Sequence, residues 1–170
     1  MSDKYELYKS EIRAIGSIVH HWSYLEHGIE RLIWVSLEVE GDVGRAVTSD
    51  IQFKARIKMM GKIIRAKHPK MSKVWAGVAK TLTEIEESRN LIVHGIWSRD
   101  RDTSDPIATS FRKKSSGPHQ ISGERFPPDR MKSIDESIMR AGAYLVQLES
   151  VIEGANAALR KKSETQAPIR

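Results

Sequence analysis

The sequence predicts a mainly α-helical protein, a bundle of four long helices with a small β-hairpin excursion between the third and fourth helices. Apolar residues recur every three or four positions along four long segments, which is the period of one helix face. Turn-forming residues and a short alternating segment gather between about residues 96 and 126. We expect the helices to pack as one domain over residues 1–160, followed by a polar, disordered tail at residues 161–170.

The first helix is predicted from about Lys4 to Glu40, because a nearly apolar stripe runs along it. The members of this stripe are Ile15, Val19, Trp22, Glu26, Ile29 and Ile33. Gly41 and Gly44 are expected to end the helix, since glycine is common just after a helix end.

The second helix is predicted to start with a cap at residues 48–50 and to end at His68, because the residue before Pro69 disfavours helical backbone. The third helix is expected from Met71 or Ser72 to a stop at Gly95. Its stripe consists of Trp75, Val78, Leu82, Ile85, Arg89 and Ile92.

The segment after Gly95 contains turn residues and three stretches with strand character, GIWSR, IATSFRK and HQISGERF. These stretches predict either one hairpin or three short strands. The fourth helix is expected after Pro127, with Pro128 as its first residue or Asp129 as its cap. Its apolar residues are Met131, Ile134, Ile138, Ala141, Leu145, Leu148, Ile152, Ala155 and Leu159.

Composition excludes several classes of protein and site. The 170 residues include no cysteine, which rules out a disulfide scaffold, a thiolate nucleophile and a cysteine-based zinc site. No run of about 18 apolar residues occurs and the first residues are charged, so we expect a cytoplasmic protein with no membrane partner. The motifs of zinc proteases, di-iron bundles and phosphate-binding loops are absent, and we predict neither a metal nor a cofactor.

The charge balance favours an anionic partner. The chain carries 28 Lys and Arg against 22 Asp and Glu, a formal net charge of +6. This excess is typical of proteins that bind nucleic acid, although a small excess of either sign also serves solubility. Both interpretations stay open on charge alone.

Two charged residues, Glu26 and Arg89, occupy apolar stripes on different helices. A buried charge costs several kcal/mol unless it is paired or hydrogen-bonded. We therefore expect Arg89 to be mostly buried and paired with Glu26. Such a pair either stabilises the core alone or marks a functional site.

His94 and Asn90 add polar groups to the end of the same helix. His94 lies in the last turn, where the partial negative charge of a helix C-terminus stabilises an imidazolium ion. Asn90 lies four positions earlier, on the same side. His94 serves either as a general acid or base, or merely as a cap for the last carbonyl groups. On an ideal helix, Arg89 points about 140° away from His94.

The segment Arg89-Asn90-Leu91-Ile92-Val93-His94, followed by Gly95, resembles the Arg-x(4–6)-His motif of the HEPN superfamily. That family consists of compact α-helical proteins, and many are metal-independent endoribonucleases of toxin–antitoxin, phage-defence and RNA-processing systems. The resemblance implies a homodimer in which two motifs meet, an RNA substrate, and an antitoxin or another protein as a further partner. Some members are instead non-catalytic modules that bind a nucleotide, RNA or a protein. An unrelated helical bundle with a structural Arg–Glu pair is the remaining alternative.

The resemblance also implies roles for individual residues. Arg89 and His94 would be catalytic, with Asn90 in the pocket and Glu26 holding Arg89 in place. RNA binding is assigned to basic residues that follow the motif, namely Arg99, Arg101, Arg112, Lys113 and Lys114. Trp97 and Phe111 either stack on bases or seal the end of the bundle.

Overall fold

The computed structural model describes residues 7–112 and 120–165, which form five α-helices and a small three-stranded antiparallel sheet. Most of the described residues lie in helices. The predicted mainly α class, with a β excursion between the third and fourth long helices, is confirmed. None of the helices in the described part of the chain is long and apolar enough to cross a membrane.

The elements follow one another in the order α1, α2, α3, α4, β1, β2, β3 and α5. Their bounds are Lys9–Leu37 for α1, Gly41–Thr48 for α2, Phe53–Lys67 for α3, Ser72–His94 for α4, Ile96–Arg99 for β1, Pro106–Arg112 for β2, Gln120–Arg125 for β3 and Pro128–Thr165 for α5. One 3-10 turn, Pro69–Met71, joins α3 to α4. The last helix thus includes residues 161–165 of the predicted polar tail, and residues 166–170 lie outside the described residues.

Gly41 and Gly44 were expected to end the first helix, but both belong to the short helix α2. Gly41 begins a helix of 8 residues, and Gly44 lies inside it. A Cβ atom at Gly44 would lie 2.4 Å from Cγ of Trp34, so the glycine lets α2 approach the indole closely. The Trp34 indole N–H donates to Oγ1 of Thr48 at 3.1 Å. Thr48 therefore belongs to the end of α2, and α3 begins later, with Gln52 as its N-cap residue.

Residue contacts divide the chain into two compact units, Met1–Ser23 with Thr83–Met139 and Tyr24–Leu82 with Arg140–Arg170. The first unit contains the sheet, and its buried residues include Ile18, Trp22, Ile92, Ala108, Phe126 and Met131. The second unit contains α2 and α3, and its buried residues include Leu25, Ile29, Leu32, Ile33, Met60, Ile64 and Ile152. The single domain over residues 1–160 stays a prediction.

The three strands pair in the order β1–β2–β3, so β2 lies in the centre and the excursion has three strands rather than one hairpin. Gly95 makes the sharp step from α4 into β1. A Cβ atom there would lie 2.4 Å from the Leu91 carbonyl oxygen and 3.1 Å from Cβ of Ala108. The predicted helix stop is therefore also the point where β2 packs against the end of α4.

Candidate active site

Arg89 lies in the first unit and is half-buried. Its guanidinium carbon lies 5.3 Å from the centroid of the buried Trp22 ring, within the range of a cation–π contact. Its Nη1 donates a hydrogen bond to Oδ1 of Asn90 at 3.0 Å. Its Nε is buried and has no hydrogen-bond acceptor among the described residues. Arg89 is thus less buried than we expected, and its side chain reaches the side of α4 that carries Asn90.

Asn90 and His94 are both exposed, and His94 is the last residue of α4. Four positions separate them, so they lie on one side of the helix about one turn apart. Because Arg89 already contacts Asn90, its long side chain compensates for part of the 140° divergence expected from the helix geometry. Asn90 and His94 therefore face solvent over the last turn and a half of α4, and the half-buried Arg89 reaches Asn90 from beside the Trp22 ring.

Glu26 is half-buried and belongs to the second unit, whereas Arg89 belongs to the first. Within its own unit, Arg89 makes no ion pair with any carboxylate of the described residues. Its contacts there are the Trp22 ring and the Asn90 side chain. The pairing of Glu26 with Arg89 stays a prediction.

Arg99, assigned to RNA binding, has its guanidinium occupied within the protein. Its Nη1 and Nη2 donate to the two carboxylate oxygens of Glu11 at 3.1 and 2.7 Å. Nη1 also donates to the Ser104 carbonyl oxygen at 2.9 Å, and the guanidinium carbon lies 3.6 Å from the centroid of the Tyr8 ring. The hydrogen bonds to Glu11 raise the pKa of Arg99 above its ordinary value. Arg99 therefore stabilises the first unit, and a role in RNA binding stays a prediction.

The other basic residues of the excursion fall into three groups. Arg101 is exposed in the connection between β1 and β2, and Arg112 is the last residue of β2. Lys113 and Lys114 lie outside the described residues. Two further arginines are ion-paired, Arg125 with Asp100 at 2.6 Å and Arg130 with Glu124.

The contacts of Trp97 favour the alternative in which it seals the end of the bundle over the alternative in which it stacks on RNA bases. Its indole N–H donates to the Ile92 carbonyl oxygen at 3.1 Å. Its ring meets the buried Phe126 ring edge-on, with centroids 5.7 Å apart. Trp97 thereby joins the start of the sheet to the segment just before α5.

A second polar cluster of the first unit was not predicted from the sequence. The Asp135 carboxylate on α5 accepts hydrogen bonds from two residues of α1, Ser17 Oγ at 2.7 Å and His21 Nδ1 at 2.7 Å. Because a carboxylate accepts, Nδ1 of His21 carries the proton and Nε2 is unprotonated when the ring is neutral. Ser17 and His21 are four positions apart, but no sequence pattern links them to a residue 114 positions after His21.

The cluster holds the three residue types of a nucleophilic triad but has a different geometry. Ser17 Oγ lies 3.4 Å from Nδ1 of His21, on the ring nitrogen that already faces the carboxylate. In a nucleophilic triad the serine faces the other ring nitrogen, which takes its proton. Ser17 instead gives its hydrogen bond to Asp135, so the cluster links α1 to α5 and does not activate the serine.

The described residues contain no group of three or more His, Asp or Glu side chains placed to hold a metal ion. No protein-family model, curated protein or solved structure matches this chain. The function is therefore inferred from the residues and their geometry.

Proposed function

We propose that the protein is a metal-independent endoribonuclease of the HEPN type that acts as a homodimer. The observation that supports this proposal is the contact of Arg89 with Asn90, next to an exposed His94 about one turn further along α4. Cleavage of RNA by its own 2′-hydroxyl requires a proton acceptor and a positive group that stabilises the charge on phosphorus. The His94 imidazole and the fork-shaped Arg89 guanidinium supply groups of these two kinds, and the Asn90 amide bonds the guanidinium.

In this mechanism, His94 takes the proton of a ribose 2′-hydroxyl as its oxygen attacks the adjacent phosphorus. The bond from phosphorus to the 5′-oxygen breaks, and that oxygen leaves with a proton from solvent or from an imidazolium ion. Arg89 stabilises the additional negative charge on the phosphoryl oxygens, and Asn90 holds the guanidinium edge. The products are a 2′,3′-cyclic phosphate and a 5′-hydroxyl end. Toxin–antitoxin or phage-defence biology is the setting that the family resemblance suggests.

A cleavage assay in excess EDTA tests the proposal, with mixed single-stranded and hairpin RNA as the substrate. We expect the unmodified protein to cleave and the His94→Ala variant to leave the RNA intact. His27→Ala is a matched control, since His27 is an exposed histidine on α1. Intact RNA with the unmodified protein, or equal cleavage by His94→Ala, would remove the nuclease proposal. Mass spectrometry of the product ends tests for the cyclic phosphate. The mass of the protein in solution tests for the homodimer.

A second candidate function is a non-catalytic module that binds a protein partner. A groove of about 490 Å³ lies beside α4 in the first unit, lined in part by Glu87, Leu91, Ser110 and Ser122. Glu87 and Leu91 lie on the same stripe of α4 as His94, at spacings of four and three. Glu84 and Glu124 also line this groove, against one arginine, Arg130. Carboxylates there repel phosphate and favour a partner with basic side chains.

A further inference from the structure

A second groove, of about 330 Å³, lies between the first turns of α1 and α5 in the first unit. Four charged residues line it: Glu11 and Arg13 from α1, and Lys132 and Asp135 from α5. Ser10 and Ser17 add hydroxyl groups from α1. The volume is at the lower end of the range for pockets that bind small molecules.

Both carboxylates of this groove are occupied by donors from the protein. The two oxygens of Glu11 accept from Arg99, and Oε2 also accepts the Tyr8 backbone N–H at 2.7 Å. The two oxygens of Asp135 accept from His21 and Ser17. The carboxylate oxygens of the groove therefore already accept hydrogen bonds from other groups of the protein.

Both cations of the groove, in contrast, form no ion pair within the part of the chain that the structure describes. Arg13 and Lys132 are exposed, and their side chains make no ion pair or hydrogen bond among residues 7–112 and 120–165. They come from two different helices and line one groove. The groove thus has two cations without a partner among the described residues, whereas each of its two carboxylates accepts hydrogen bonds from the protein.

We propose that this groove binds the phosphate group of a small phosphomonoester. Two cations match the charge of a phosphate dianion, and the Arg13 guanidinium offers two parallel N–H donors to its oxygens. The Ser10 hydroxyl supplies a neutral donor from the first turn of α1. Ser17 gives its proton to Asp135, so it does not donate to the ligand. The site is separate from the proposed catalytic residues and does not depend on RNA cleavage.

Titrations of the whole protein, followed by NMR of its backbone amides, test the proposal with inorganic phosphate and with AMP. Adenosine is the uncharged control. We expect saturable shifts at Ser10, Ala14 and Ser17 with both phosphates and none with adenosine. Arg13→Gln and Lys132→Gln should each weaken phosphate binding about tenfold, because each removes a charged hydrogen-bond donor.

A double variant, Arg45→Gln with Lys58→Gln, removes the same charge from exposed positions of α2 and α3 and is expected to bind as the unmodified protein does. Absence of saturable shifts, or equal binding by a double variant of Arg13 and Lys132, would overturn the proposal. A short 2′-O-methyl RNA without a terminal phosphate, which lacks the attacking hydroxyl and is not cleaved, provides the third comparison. If the substitutions of Arg13 and Lys132 weaken the binding of that RNA as much as the binding of AMP, the groove binds a nucleic-acid backbone. The proposal of a small ligand is then wrong.

Discussion

The Arg99 guanidinium and the Glu11 carboxylate form a two-pronged ion pair, with N–O distances of 3.1 and 2.7 Å. Glu11 is 5% exposed, and its carboxylate also accepts the backbone N–H of Tyr8, just before α1 begins. One carboxylate therefore caps the first turn of α1 and anchors β1, which is 88 residues later in the chain.

The ion pair predicts a large loss of stability when one partner is removed. Arg99→Ala leaves a buried carboxylate without its cation, and we expect the free energy of unfolding to fall by about 3 kcal/mol. Arg99→Lys should recover only part of this loss, because an ammonium group lacks the planar fork. Urea unfolding measures the change. Arg101→Ala is the matched control and should change stability by less than about 0.5 kcal/mol, since Arg101 is exposed. Equal effects of the two alanine variants would contradict the assigned role.

The buried His68 should make the protein less stable in mild acid. It is 7% exposed at the end of α3, and burial, followed by the charge of Lys67, lowers its pKa below the ordinary value of 6.5 despite an opposing contribution from Glu38. The unfolded chain therefore binds the proton more tightly than the folded protein does. The stability that the neutral ring contributes is complete above pH 6.5 and is lost as the pH falls towards the lowered pKa.

Urea unfolding at several values between about pH 7.5 and about pH 5 measures this dependence. His68→Gln removes the titrating group and keeps a polar side chain. We expect stability to fall less steeply with decreasing pH in this variant than in the unmodified protein. Identical slopes for the two proteins would show that His68 does not cause the acid sensitivity.

Gly77 inside α4 and Gly95 just after it should respond oppositely to alanine. Gly95→Ala, just beyond the helix end, places a methyl group 2.4 Å from the Leu91 carbonyl oxygen, and we expect a loss of about 2 kcal/mol. Gly77→Ala, inside the helix, meets no atom within 4 Å, and we expect a gain of about 0.5 to 1 kcal/mol. Thermal unfolding of both variants distinguishes the two effects. A neutral Gly95→Ala would mean that the start of β1 can move to make room.

Arg89 should affect both stability and the proposed activity. Arg89→Ala removes the cation from the Trp22 ring and exposes that ring. We expect the free energy of unfolding to fall by about 1 to 2 kcal/mol and RNA cleavage to be abolished. Arg89→Lys keeps a charge but loses the fork that bonds Asn90, so cleavage should fall strongly while stability falls less. Parallel unfolding and cleavage measurements on the two variants check this separation. Full cleavage by Arg89→Lys would exclude a role for the planar guanidinium.

The two ends of α4 and the start of α5 followed from local chemistry in the sequence. Ser72, Gly95 and Pro128 mark these boundaries as predicted, because capping and backbone restriction act within a few residues. Helix α2 was missed for the same reason. Gly41 and Gly44 have the local signature of a helix end, and only the packing of Gly44 on Trp34 explains why the second glycine lies inside a helix.

The residues of the candidate site could be predicted from the sequence only where one helix carries them. Arg89, Asn90 and His94 could be grouped from the sequence because one helix carries them. The pair of Glu11 with Arg99 and the pair of His21 with Asp135 join residues 88 and 114 positions apart. Neither pair has a periodic signature, since tertiary packing alone brings them together. Counting Arg99 as a free cation was reasonable from charge, but its guanidinium is bound by Glu11.

The contact between Trp97 and Phe126 has a consequence for how the first unit unfolds. The two rings meet at 5.7 Å, one just after α4 and the other just before α5, and the Phe126 backbone N–H donates to the Pro106 carbonyl oxygen at 2.8 Å. The chain therefore enters and leaves the sheet at one place. Because Ala108 of β2 is fully buried and Arg99 of β1 binds Glu11 of α1, we expect the strands to unfold cooperatively with the helices of this unit and not as a separate part.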